Sequence, residues 1–299
     1  MQRNKALFVD RTRGTPRIAG YSDFSKLTYI STAAAVVLSA EYERWREVCS
    51  EVPPTVELDK WNANVFRKLY QLGFFEIVGF TPQRDDVVIE SGTTRTMQIV
   101  SMKNADDLAK VDTSLQKLGE FLNPGRSLPD EIVIDLLTGL SEAISNVTNH
   151  AYPDDITTDY PHIGSLWVAA TADRENNSLT IVVYDQGATI PITYPRIGRL
   201  EKVTRYLVRT LKNDGSFDFE NDGTFVRAAM KYGGSRTDEK HRGKGLPQMM
   251  DVIKRVGSGT MTVYSRGGWC RRSKNGRLKS GAVPYSIGGT LIEWSVELS

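Results

Sequence analysis

Along the 299-residue chain the spacing of apolar and polar positions changes several times, and each change predicts an element. Residues 6–9 form a short apolar run of strand type. Ser31 is placed to cap a helix over 32–48, in which Ala35, Val36, Ala40 and Trp45 recur at helical spacing. Pro53-Pro54 ends that helix, and 55–58 alternates as a strand does. A second helix over 60–72 carries Trp61, Val65, Leu69 and Leu72 on one side and stops at Gly73. Runs at 87–89 and 97–100 read as a closing pair of strands around Ser91-Gly92. Strand–helix–strand–helix order predicts a small α/β unit over 1–104.

Asn104 opens a polar stretch, after which the pattern changes. Helices are expected at 105–122 and 130–152, separated by Asn123-Pro124-Gly125, then strands at 164–170 and 179–184. Residues 194–242 are helical in pieces but rich in Gly, Asp and Lys, and a helix follows over 245–256. Three strands close the chain at 260–266, 277–285 and 290–297, with Asn275-Gly276 as a hairpin turn. The second unit, 105–299, thus reads as an α+β two-layer sandwich.

Composition sharpens this picture in three ways. Forty per cent hydrophobic and 25% charged residues fit a chain with a packed core. Thirty-eight basic against 36 acidic residues leave +2, too balanced for a surface devoted to nucleic acid. The local exception is Arg266, Arg271, Arg272, Lys274, Arg277 and Lys279 around Trp269, which suits either nucleic acid or a solvated hairpin edge; the second reading is favoured. Cys49 and Cys270 build no disulfide framework, and His150, His162 and His241 fall in no metal-ligand pattern with them. The longest apolar run, 33–38, is too short for a membrane span, and residues 1–5 lack the apolar core of a secretion signal, so a cytoplasmic protein is expected.

Candidate chemistry gathers on the helix ending at Tyr152. Leu136, Leu140, Ile144, Val147 and Ala151 form an apolar stripe, while Glu142 and Asn146, four residues apart, share the opposite face. That pair reads either as a solvated face or as a water-activating acid beside an amide oxygen suited to magnesium. Asp185-Gln186-Gly187 follows an apolar strand; it is either an ordinary turn or an acceptor for an exocyclic amine, with a glycine over which a flat ring fits. His241-Arg242-Gly243-Lys244-Gly245-Leu246 opens a helix, and such glycines expose N–H groups that suit phosphate.

Taken in order with Gly288-Gly289-Thr290, these motifs resemble the GHKL superfamily of ATPases, and Glu142 to Tyr152 is most similar to its anti-sigma serine kinase branch. The resemblance implies a Bergerat-type ATP-binding domain over 105–299. Asn146 would hold Mg²⁺, Glu142 would act on the attacking water or hydroxyl, and Asp185 would hold the adenine amine. Gly187 would lie under the ring, Thr290 would support that end, and Gly243, Lys244, Gly245 and Leu246 would meet the nucleotide. Asn149, one turn beyond Asn146, would line the same pocket. The first box departs from the usual Asp-x-Gly-x-Gly, since Ala188-Thr189 follows Gly187. Residues 192–242 are expected to form an ATP lid, with Gly223 and Gly233-Gly234 as hinges. No phosphoacceptor histidine lies on a preceding helix, which argues against a histidine autokinase. Residues 1–104 resemble a STAS-type domain, which implies a STAS-like or other regulatory protein partner, with a homodimer also open. The expected activity is ATP hydrolysis in a regulatory switch, with serine/threonine kinase and non-hydrolysing binding module as alternatives.

Overall fold

The computed structural model describes residues 4–9, 16–50, 52–103, 107–156, 161–196, 201–233, 246–247, 249–250, 255 and 258–298. The chain divides into two compact units, 1–92 and 93–299.

The first unit has β1 (Asn4–Val9), β2 (Pro16–Asp23), α1 (Thr32–Cys49), β3 (Thr55–Val56), α2 (Ala63–Leu72) and α3 (Phe74–Val78). β1 and β2 pair antiparallel, and β2 pairs parallel with β3. Ser31 caps α1 by accepting the Ala34 N–H at 3.1 Å, and Gly73 ends α2 in the left-handed region, at φ 84°. Aromatic rings fill the interior: Trp61 packs on Phe24 and Phe75, and Phe74 meets Tyr42 edge-on. The sequence pattern missed β2 and α3, and 87–89 is not a strand.

The second unit has β4 (Thr94–Thr96), β5 (Val100–Met102), α4 (Leu108–Leu122), α5 (Asp130–Asn146), β6 (Leu166–Asp173) and β7 (Ser178–Asp185). It continues through α6 (Ile190–Thr193), α7 (Glu201–Thr210), α8 (Asp222–Tyr232), β8 (Ser258–Ser265), β9 (Gly268–Arg272), β10 (Leu278–Ala282) and β11 (Thr290–Glu297). The sheet order is β10-β9-β8-β11-β7-β6-β4, with β5 also on β6, and every pair is antiparallel. Instead of closing the first unit, residues 94–102 form a broken edge along β6, with the Met97 N–H bonded to the Ala170 carbonyl between β4 and β5.

α4 and α5 cover one face of this sheet, giving a mixed, two-layer α+β arrangement. Alternate strand residues (Val168 and Ala170 on β6, Ile181 and Val183 on β7, Trp294 and Val296 on β11) share a core with Leu115 and Leu118 of α4 and Leu136 and Leu140 of α5. Each large side chain buried there contributes roughly 1.5–3 kcal/mol. Asp130 and Glu131 in the first turn of α5 complement its dipole. The strand pattern overlooked β9, so four strands rather than three close the chain; Asn275-Gly276 does turn the β9–β10 hairpin, with Gly276 at φ 80°. Among the described residues no helix is long and apolar enough to cross a membrane.

Candidate nucleotide-binding site

Where α5 ends, the helix widens. Residues Val147–Ala151 form a π-helical turn that continues α5 without a break. In a regular helix, residues i+3 and i+4 both flank residue i, whereas a π turn brings i+4 and i+5 above it. Asn146 and His150 therefore face the same way, and both line a cavity. Asn149 is turned off that face. It is exposed and donates to the Ser145 carbonyl (2.7 Å) and hydroxyl (3.1 Å), so the expectation that it lines the pocket is corrected.

The floor of the cavity is the end of β7 with its neighbours. Asp185 is the last residue of β7, only 5% exposed, and stands opposite Thr290 of β11 in the ladder. One carboxylate oxygen accepts the Gly187 N–H at 2.9 Å. Burial pushes the Asp185 carboxyl up to about 7, and the hydrogen bond from Gly187 only partly opposes this. The Thr290 hydroxyl lies 2.8 Å from that of Ser265, which itself accepts the Ile190 N–H at 2.9 Å. One serine thus fixes both a strand residue and the start of α6.

Several contacts bind this floor to the π turn. The Ala188 N–H donates to the Ala151 carbonyl at 2.5 Å. Tyr152 donates its hydroxyl to the Ser165 carbonyl (2.7 Å) and accepts the Gln186 N–H (3.2 Å). Burial, then the neighbouring Asp185 charge, raises the Tyr152 hydroxyl above its usual range, so it stays protonated to donate. A Cβ on Gly187 would stand 2.2 Å from the Ala151 carbonyl oxygen. Glycine is required here for close approach to the helix end, a different reason from the flat ring the sequence suggested.

Asn146, Asp185, Leu246 and Thr290 all line the same cavity, of about 120 Å³. At roughly 30 Å³ for each water in the liquid, that is room for about four waters. Apolar wall comes from Val147, Val183, Ile190 and Ile292, and a second side from Tyr194, Arg196, Ala229 and Gly233. Apolar walls with a few convergent polar groups are the usual make-up of a small-molecule site. No protein-family model matches the chain, and no curated protein is similar to it.

Glu142 lies one turn before Asn146 on α5 and is half-buried, outside the described wall of the cavity. Gly243, Lys244 and Gly245 lie outside the described residues, as do Gly234 and His241. Gly233 and Leu246, the described residues on either side of that stretch, both line the cavity.

The segment expected to be a lid is largely an integral cap. α7 and α8 enclose a small core of Tyr194, Ala228 and Ala229 with Leu207 and Phe225 against it. The Tyr194 hydroxyl donates to the Gly233 carbonyl at 2.9 Å. The Asn221 side chain joins Lys212 through both its amide atoms, at 2.7 and 2.9 Å. Asp222, buried at the start of α8, takes two bonds from Arg266, at 2.8 and 2.5 Å, and one from the Gly267 N–H at 3.0 Å. Gly223 is no hinge: a Cβ there would sit 2.2 Å from the Gly281 carbonyl oxygen on β10, so the α8 start is pressed onto the sheet edge.

Of the cations flagged in the 266–279 stretch, Arg266 serves Asp222, Arg271 donates to the Thr262 hydroxyl at 3.0 Å, and Lys274 pairs with Glu297. The Trp269 indole lies against Gly281. Sequence reasoning gave no pocket role to His150, Tyr194, Arg196 or Ala229; the small pair Ala228-Ala229 inside a helical pattern was the one local sign of close packing.

Proposed function

We propose that the second unit binds ATP with Mg²⁺ in this cavity and hydrolyses it as a nucleotide-controlled switch on a protein partner. The carrying observation is Asp185. It is a buried carboxylate at a strand end, in the wall of a cavity with apolar sides, with one oxygen committed to the Gly187 N–H and the other left to accept from an exocyclic amine. Thr290 stands beside it, and Asn146 supplies an amide on the opposite, helical wall. No group of three or more His, Cys, Asp or Glu placed to hold a metal ion occurs among the described residues. That suits Mg²⁺, which keeps waters and takes most of its other ligands from substrate phosphates. Asn146 is the residue that would hold it, and the bound ion would neutralise phosphate charge. This order of groups is what the GHKL resemblance implies, and we read the unit as a Bergerat-type domain and residues 1–92 as a STAS-like regulatory unit. A second reading, a nucleotide-dependent binding module without turnover, has one observation in its favour: Glu142 stands outside the cavity wall.

Asp185→Asn tests the base site. Because Oδ1 already accepts the Gly187 N–H, the variant's amide keeps its oxygen there and presents NH₂ to the cavity, donor facing donor. Titration with ATP·Mg²⁺ should show affinity reduced at least about a hundredfold; unchanged affinity would refute the base site. Glu142→Ala should keep binding and lose phosphate release, whereas a wild type that binds without releasing phosphate establishes the second reading. Label passed to a co-purified protein instead of water identifies a kinase.

A further inference from the structure

We infer that Arg196 reads the phosphate of the bound nucleotide, and that Asp155 is the resting partner from which the phosphate takes it. The inference rests on the nucleotide reading above and adds to it a requirement that the ligand be anionic. Arg196 ends the 3-10 turn Tyr194–Arg196 that follows α6, and it lines the cavity. Among the described lining residues it is the one guanidinium or ammonium group. Its Nη1 lies 3.5 Å from a carboxylate oxygen of Asp155, with both side chains about half exposed.

The two partners come from different segments, and of the two Arg196 lines the cavity. Asp155 follows the π turn, four residues after Ala151, whose carbonyl is fixed by the Ala188 N–H. Arg196 lies two residues after Tyr194, whose hydroxyl is fixed to the carbonyl of Gly233, another lining residue. The pair therefore joins the segment after the π turn to the segment that leads into the cap.

An exposed ion pair at this separation is weak, because water screens it and two long side chains must be held. A phosphate offers a doubly charged, planar-compatible acceptor that a guanidinium engages through two parallel hydrogen bonds, which is stronger. Exchange of Asp155 for phosphate is therefore downhill for a nucleotide. A nucleoside, which brings no anion, has nothing to exchange. Asp155 acts as a competitor that a nucleotide displaces and a nucleoside leaves in place.

Calorimetric titration of the full chain with ATP, ADP and adenosine, in wild type, Arg196→Ala and Asp155→Asn, tests this. Arg196→Ala should weaken ATP and ADP about tenfold and leave adenosine within about twofold. Asp155→Asn, which removes the competitor, should tighten ATP about two- to fivefold and again spare adenosine. If Arg196→Ala weakens adenosine as much as ATP, or if Asp155→Asn weakens ATP, the pair is a brace of the cavity mouth and the inference falls. Nucleotide binding that ignores both substitutions also overturns it while sparing the nucleotide reading. A wild type that takes up neither adenosine nor ATP overturns both.

Discussion

The floor of the cavity and its cap are held by different means. At the floor, the end of β7 and the π turn meet largely through main chain: the Ala188 N–H donates to the Ala151 carbonyl, Gly187 lies against that carbonyl, and the Tyr152 hydroxyl accepts the Gln186 N–H. At the cap, α7 and α8 rest on a small cluster around Tyr194 and Ala229, and one buried ion pair, Asp222 with Arg266, fixes the helix start to the sheet edge. Main-chain contacts leave little room for adjustment, while side-chain contacts can open one at a time. A ligand between them meets one surface already set in place and one that can respond. In the proposed switch, the base site would sit on the part already set in place.

Three measurements test the difference between floor and cap. The largest effect concerns pH. Burial raises the Asp185 carboxyl from the ordinary value of 3.8 to about 7 in the folded protein, so the folded state holds that proton more tightly than the unfolded chain. Its contribution to stability is therefore full below about pH 4 and is lost as pH rises toward about 7, a slope on the order of 4 kcal/mol. Urea unfolding across this range should show the decline in wild type and a flatter profile in Asp185→Asn; parallel profiles would mean that the floor is wetter than described. Next, Gly187→Ala forces a methyl into the Ala151 carbonyl and should cost about 3 kcal/mol, with loss of ATP binding. Wild-type stability in that variant would show the floor to be adjustable after all. Smallest is Asp222→Asn, which leaves Arg266 without its carboxylate and should cost about 2 kcal/mol, less than a fully buried pair because the arginine is a quarter exposed. Hydrogen exchange should then quicken across α8 and not across β7, and equal quickening of both would remove the distinction between floor and cap.

The parts of the fold that sequence made legible are those decided by near neighbours. The Ser31 cap, the Gly73 stop, the apolar runs of β6 and β7 and the Asn275-Gly276 turn each depend on a few consecutive residues. What escaped depends on distant contacts. β2 begins at Pro16 and contains Gly20, both of which read as breakers, yet Pro16–Tyr21 pair with the whole of β1. β9 begins Gly268-Trp269, which looks like a loop until α8 is laid beside it. Residues 94–102 joined the wrong unit because strand character says nothing about which strand will be the partner.

The site divides along the same line. Asn146, Asp185, Leu246 and Thr290, picked out by motif order, share one cavity, while Glu142 lies outside its wall and Asn149 faces away. A wheel drawn at 100° per residue cannot reveal a local change to five-residue spacing. Nor does a stretch rich in Gly and Asp announce that its helices dock through a buried Asp222.

The widened turn after Asn146 also makes the protein sensitive to length in a way that composition does not capture. Its ends are pinned, by continuity with α5 on one side and by Ala151 and Tyr152 on the other. Losing a single codon between Asn146 and His150 would restore ordinary winding and shift Ala151 and Tyr152 out of register with Ala188 and Gln186, although the polar side chains of the cavity survived. In relatives of this chain, the count of residues between the asparagine and the tyrosine is then a better guide to a working pocket than the identity of the letters between them.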